Sequence, residues 1–152
     1  MKTTPMSLYL ATLGPIGYTY CPGTIATAAT LPLVYLLRTW PIPELLYIMI
    51  IIISIMAAWF IIKRAMPYLD GPDPSAIVLD EFLGCLVTFI AIPISWKTII
   101  IGFLLFRFFD ITKYFGISRL EKLYGPGGII IDDLFAAILS NVILRIGILY
   151  FT

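Results

Sequence analysis

Two acidic pairs set directly against aliphatic sequence, Asp80-Glu81 and Asp132-Asp133, are the residues of this chain best placed to do chemistry. Their surroundings repeat. Ile77-Val78-Leu79-Asp80-Glu81-Phe82-Leu83-Gly84-Cys85-Leu86-Val87 aligns without gaps with Ile129-Ile130-Ile131-Asp132-Asp133-Leu134-Phe135-Ala136-Ala137-Ile138-Leu139. Pro74-Ser75 precedes the first copy and Gly125-Pro126-Gly127-Gly128 the second, so each reads as a loop entering a helix near its start. Carboxylates there gain from the helix dipole, and a single pair would read as capping. Two pairs, each followed by small residues that let helices approach closely, read as a site. Neighbours on a helix point about 100° apart, so one acid of each pair can face the bundle centre while the other meets solvent, a second ligand or a basic partner.

A third constellation is Phe106-Arg107-Phe108-Phe109-Asp110-Ile111-Thr112-Lys113, in which Arg107, Asp110 and Lys113 fall along one side of a helix. The bland reading is an ion-pair ladder. The functional one is a metal-binding carboxylate between two phosphate binders, because Arg matches phosphate oxygens with a fork and Lys acts as a point charge. Thr24, in Gly14-Pro15-Ile16-Gly17-Tyr18-Thr19-Tyr20-Cys21-Pro22-Gly23-Thr24, is placed as an N-cap, or as part of a phosphate-holding backbone nest. Carboxylates without histidine favour magnesium over zinc, and magnesium beside basic groups suits hydrolysis of a phosphate ester.

Absences narrow the chemistry. The chain has no histidine, which removes His-based triads, His-ligated zinc and phosphohistidine chemistry. Cys21 has no arginine six residues on, so a cysteine-phosphatase loop is lacking, and Asp70 and Asp73 are too far apart for a phosphoaspartate motif. No phosphotransferase signature Asp-Gly-x-x-Ala-Arg and no Gly-x-x-x-x-Gly-Lys loop occurs. Cys21 and Cys85, each in or beside apolar sequence, read as small buried side chains.

The elements that must position these groups are apolar throughout. In 152 residues, 61% are hydrophobic and 12% charged, against about 45 to 50% and about 25% in soluble proteins, so the membrane is the expected solvent for a single domain over 1–152. A net charge of +1 argues against nucleic acid as a partner. Leu45 to Ile62 carries no charge and predicts a membrane helix. Gly23 to Leu37, Phe82 to Ser95, Thr98 to Phe106 and Leu134 to Thr152 are shorter or interrupted. Extending the Phe82 segment back to Ser75 and the Thr98 segment on to Phe115 makes them long enough, and draws Asp80, Glu81, Arg107, Asp110 and Lys113 into helix ends. With the first span running outward, seven Lys/Arg fall on the cytoplasmic side and two outside. The same orientation gathers eight acids on the cytoplasmic face and leaves only Glu44 opposite.

Together these motifs resemble the phosphatidylglycerophosphatase A family: Pro22-Gly23-Thr24, Ile77-Val-x-Asp80-Glu81-x-x-Gly84, Phe106-Arg107-x-Phe109-Asp110-Ile-x-Lys113 and Gly128-x-x-x-Asp132-Asp133-x-x-Ala136, in order over residues 12 to 145. The resemblance implies a magnesium-dependent hydrolysis of phosphatidylglycerophosphate to phosphatidylglycerol and phosphate. It makes Asp80, Glu81, Asp110, Asp132 and Asp133 the acidic positions and Arg107 and Lys113 the basic ones. Departures, such as Tyr114 after Lys113 where the family often has Pro, touch loop geometry and leave the charged set intact. The expected protein is an all-α, polytopic membrane helical bundle of about five membrane-embedded helices in the inner (cytoplasmic) membrane. Asp80, Asp110, Asp132 and Asp133 would hold Mg2+, Arg107, Lys113 and Thr24 would bind phosphate at the cytoplasmic face, and the partner would be a bilayer phospholipid with no obligate protein partner. Rival readings are a phosphatase for another lipid phosphate, such as an ether-linked analogue, and a small transporter. A transporter should carry carboxylates near the bilayer midplane, and Leu45 to Ile62 has none.

Overall fold

The computed structural model describes residues 5–71, 74–112 and 125–151, and among them every regular element is helical. The helices are α1 (Met6–Ala11), α2 (Pro22–Thr39), α3 (Glu44–Ala65), α4 (Leu79–Thr88), α5 (Trp96–Thr112) and α6 (Pro126–Phe151). Lys113 lies outside the described residues.

Helix α3 begins after Pro43, with Glu44 in its first turn and Lys63 and Arg64 in its last, each sign favoured by the dipole at that end. With the 3₁₀ turn at Met66–Tyr68 it makes a 25-residue segment, Glu44–Tyr68, the one described helix that is long and apolar enough to cross a membrane. Its Leu45, Ile53, Met56 and Phe60 are exposed. Helix α5 starts with a reciprocal cap: the Ser95 N–H donates to Thr98 Oγ1 (2.8 Å) and the Thr98 N–H to Ser95 Oγ (3.2 Å).

Two expectations about spans change. Ser75 to Ser95 does not form one helix. Helix α4 has 10 residues, which rise about 15 Å, half of a hydrocarbon core. Past Thr88 the N–H groups of Phe89, Ile90 and Ile92 bond three residues back, and Ala91 turns into the left-handed region at φ 50°. Conversely, α6 begins at Pro126, so Gly127 and Gly128 are helical, and Asp132 and Asp133 stand about two turns inside the helix. The first acidic pair therefore sits in the first turn of its helix, and the second does not.

Helix α6 packs along both α4 and α5, α2 lies on α4, and α1 on α3. Tyr47, Phe89 and Phe106 are fully buried between them. Gly84 makes the α4–α6 contact possible: a Cβ there would stand 2.5 Å from the Phe106 ring and 3.3 Å from the Asp133 carbonyl oxygen. Buried hydroxyls are satisfied within their own helices, Thr27 on the Gly23 carbonyl (2.8 Å), Thr30 on that of Ala26 (2.8 Å) and Ser140 on that of Ala136 (2.7 Å).

The early end of α4 leaves carbonyls that need donors wherever water is excluded. Side chains supply them. Asn141 Nδ2 donates to the Thr88 (2.8 Å) and Ile90 (2.9 Å) carbonyls, Arg145 Nη2 to that of Ile90 (2.9 Å), and the Tyr47 hydroxyl to that of Leu86 (2.8 Å). Arg145, which lies inside an apolar run in the sequence, thus has a structural partner.

Candidate active site

At the other end of α4, four helices converge on one cavity of about 330 Å³. Helix α2 brings Gly23 and Thr24, α4 brings Asp80 and Glu81, α5 brings Arg107 and Asp110, and α6 brings Asp132 and Asp133. All the described residues singled out from sequence as site candidates therefore line the same space. The repeat accounts for the α4 and α6 acids, since two similar segments on packed helices bring them together.

Asp80, Glu81 and Asp133 form the tightest group, each offering a carboxylate oxygen, with those oxygens within 4.8 Å of one another. Asp80 and Asp133 are buried, at 8% and 4% exposure. Burying like charges this close is unfavourable by several kcal/mol per ion unless a cation or proton compensates. Asp80 Oδ1, Glu81 Oε2 and Asp133 Oδ2 are buried with no hydrogen-bond partner. Three converging oxygens with spare lone pairs match the donor set of a hard divalent cation. Asp132 is also buried and lines the cavity, while Asp110 forms an ion pair with Arg107 Nη1. Glu81, expected to act chemically rather than to bind metal, supplies the third carboxylate of the group.

Arg107 Nη1 also stands 3.9 Å from Glu81 Oε1, so the guanidinium lies between the α4 and α5 acids with little exposure. The expected i, i+3 relation of Arg107 and Asp110 is therefore a real ion pair, and it faces the cavity. In the first pair both acids reach the carboxylate cluster, and Glu81 also meets this basic partner.

The acids of α4 are not caps in the usual sense, since the N-cap residue, Val78, makes no side-chain cap hydrogen bond and both acids lie inside the helix. Thr24 is not an N-cap either. Pro22 takes the first helical position and Cys21 the cap, which leaves Thr24 in the first turn, lining the cavity. Cys21 is exposed, against the expectation of a buried side chain, and Cys85 is buried. Gly23, read from sequence at the loop-to-span junction and within the Pro22-Gly23-Thr24 motif, proves to sit against two site groups: a Cβ would collide with Glu81 Oε1 and lie 2.9 Å from Arg107 Nη1. Ser75 and Ile77, from the segment before α4, complete the wall.

The model of the family described as Phosphatidylglycerophosphatase A matches residues 9–148. The chain is 32% identical over 132 residues to the protein named Phosphatidylglycerophosphatase A of Escherichia coli (strain K12), covering 86% of this chain and 73% of that one. It is 48% identical over 73 residues to the protein of the same name from Haemophilus influenzae, covering 47% of this chain and 45% of that one. It is also 34% identical over 79 residues, half of each chain, to a Bacteroides thetaiotaomicron protein provisionally named a phosphatidylinositol-3-phosphatase. No solved structure matches. A match over nearly the whole chain, with the acids of α4 and α6 and the Arg107-Asp110 pair gathered at one cavity, leaves one assignment: the chain belongs to the phosphatidylglycerophosphatase A family.

Proposed function

We propose that the cavity hydrolyses the terminal phosphomonoester of phosphatidylglycerophosphate, giving phosphatidylglycerol and phosphate. The observation that carries the proposal is the juxtaposition of a buried carboxylate group, Asp80, Glu81 and Asp133, with the Arg107 guanidinium in one cavity of a chain of this family. Asp80, Glu81 and Asp133 would hold Mg2+, with Asp132 beside them. When bound, such an ion polarises phosphoryl oxygens and lowers the pKa of water.

The chain's own groups divide the rest. Asp110 holds the Arg107 fork in place, and Arg107 offers guanidinium donors to phosphate oxygens. The absence of a side chain at Gly23 lets the Glu81 carboxylate and the Arg107 guanidinium close onto the first turn of α2, which keeps both groups at the cavity. A carboxylate oxygen of the cluster without a hydrogen-bond partner can take a proton from water. Lys113, from the same motif, is proposed as a second phosphate binder.

The exposed apolar belt of α3, the overall composition and membership of this family support a membrane location. In this reading α2, α3, α5 and α6 are embedded, α4 is a half-length helix capped by its neighbours, and the cavity opens at the cytoplasmic face of the inner membrane. Phosphate release from phosphatidylglycerophosphate, its ether-linked analogue and phosphatidylinositol 3-phosphate by the purified protein, with magnesium and with EDTA, tests the proposal. EDTA-sensitive release from the first is expected. Release from only one of the other two would reassign the substrate, and full activity in EDTA would remove the metal.

A further inference from the structure

Along α5, on both sides of Arg107, runs a second concavity of about 590 Å³, lined by Ile101, Leu104, Leu105, Phe108 and Thr112. It is almost wholly apolar, and Leu104 and Phe108 are more than half exposed along it. Arg107 and Ile111 line both this groove and the polar cavity. Arg107 Nη1 points to Asp110 and Glu81, so the residue's methylene stem is what borders the groove. Other exposed apolar positions, such as Ile53 on α3, share no lining residue with the cavity.

We infer that this groove on α5 seats the acyl-glycerol part of the lipid whose phosphate enters the cavity, so that substrate reaches the acids sideways from the bilayer, past Arg107. The inference rests on the proposed lipid-phosphatase reading and adds where the apolar part of the substrate lies. A polar cavity that shares Arg107 and Ile111 with an apolar groove matches an amphiphile with a phosphate at one end and hydrocarbon at the other. The groove extends along α5 on both sides of Arg107, and its Ile101–Leu105 part, on the side away from the helix end that carries Asp110, is where the acyl chains would lie. Binding energy from the chains, remote from the reacting phosphorus, would then hold the phosphate in place.

Two measurements test this in detergent micelles. Leu104→Trp narrows the groove while leaving the carboxylate group and the Arg107 head unchanged in sequence, and Ile53→Trp adds the same bulk on α3. The KM for dioleoyl phosphatidylglycerophosphate should rise about tenfold in Leu104→Trp and stay unchanged in Ile53→Trp, while turnover of the deacylated, water-soluble substrate stays at the wild-type rate in both. Equal effects of the two substitutions, or equal loss on both substrates, would overturn the groove. The second measurement needs no turnover. Phe108→Trp should gain fluorescence that brominated phosphatidate quenches at lower mole fraction than brominated phosphatidylcholine does. Equal quenching would show an ordinary lipid-facing surface and overturn the inference. Selective quenching in a protein that releases no phosphate from phosphatidylglycerophosphate would keep the groove for a lipid phosphomonoester and remove the proposed substrate alone.

Discussion

At one end of the bundle, five carboxylates, Asp80, Glu81, Asp110, Asp132 and Asp133, share a cavity with one described guanidinium, Arg107. At the other end the carboxylate and amide groups are matched to partners, and among the described residues only Arg38 Nε, a donor, is buried there without a hydrogen bond. Glu44 Oε2 accepts from Arg38 Nη1 at 2.6 Å and its Oε1 from the Ala91 N–H at 2.9 Å, while Arg145 Nε donates to Asn141 Oδ1 at 2.8 Å and the Asn141 amide to two carbonyls. Both ends are built by the same helices. The difference is that the second end uses its charges to finish the backbone of α4, and the first leaves carboxylate oxygens without hydrogen-bond partners. Unmatched buried charge destabilises a fold and is kept where a ligand completes it. The cavity end should therefore give up activity and not stability when a charge is removed, and the opposite end the reverse.

Asp80→Asn should show the largest effect. The side chain keeps its shape, one negative charge leaves a crowded group, and the cluster loses affinity for a divalent cation. Activity should fall at least about a hundredfold, or require far more magnesium, because ligand substitutions outweigh the 10- to 100-fold typical of outer partners. Thermal unfolding in detergent should stay level or rise, since a like-charge repulsion is relieved. Wild-type activity at low magnesium would dissolve the contrast between the two ends.

A glycine comparison comes next. Gly23→Ala places a methyl group against Glu81 Oε1 and Arg107 Nη1, whereas Gly147→Ala, on α6 toward the other end, meets open space. Activity should drop about tenfold for the first, because small misplacements of positioning groups are costly. The second should leave activity unchanged and gain up to about 1 kcal/mol from helix propensity. Phosphate release and unfolding measured on both variants decide it, and an active Gly23→Ala would mean the cavity tolerates displacement of Glu81.

How much of this was legible in sequence follows from the range of the interactions. The acidic pairs and the small residues after them carry local patterns, so Asp80, Glu81, Asp132 and Asp133 were identifiable, while the spacing of Arg107 and Asp110 allowed either an ion pair or a metal-binding carboxylate beside a phosphate binder, and the ion pair is what forms. The uncharged run in α3 was equally plain. The end of α4 was not. Residues 82–95 stay apolar past Thr88, with the first proline only at Pro93, and the groups that let the helix stop, Asn141 and Arg145, lie more than fifty residues later. Gly127 and Gly128 suggested a loop because glycine usually breaks helices, and α6 overrides that propensity through its packing on α4 and α5. Gly23 carried no local sign of the Glu81 and Arg107 atoms beside it.

Asn141→Leu is a smaller perturbation that reaches across the molecule. It removes two donors from the Thr88 and Ile90 carbonyls, and a lost buried bond costs about 1 to 3 kcal/mol. Thr88 lies eight residues after Asp80, and Asn141 eight after Asp133, so the amide sets the same α4–α6 register that brings the two acids together. A lower unfolding temperature is expected, with a modest rise in the magnesium needed for half-maximal activity. A variant with lowered stability and an unchanged magnesium requirement would show that packing at Gly84 alone holds the register.

The smallest effect should come from Glu44→Gln, and its smallness is informative. The amide oxygen can still accept from the Ala91 N–H, so only the charge facing Arg38 is lost. The Glu44 side chain is 38% exposed, and partly exposed ion pairs contribute about 0.2 to 1 kcal/mol. For a chain of this size that is about 2 to 4 °C at most in the unfolding midpoint. Salt should shrink the difference between variant and wild type by screening the pair, and kcat/KM on phosphatidylglycerophosphate should not move. Because Glu44 lies at the far end of the bundle from the cavity, a clear fall in kcat/KM with unchanged stability would mean that the Arg38-Glu44-Ala91 contact transmits strain along α4 to Asp80. The two ends would then be one coupled device, and the division between a structural end and a chemical end would have to be abandoned.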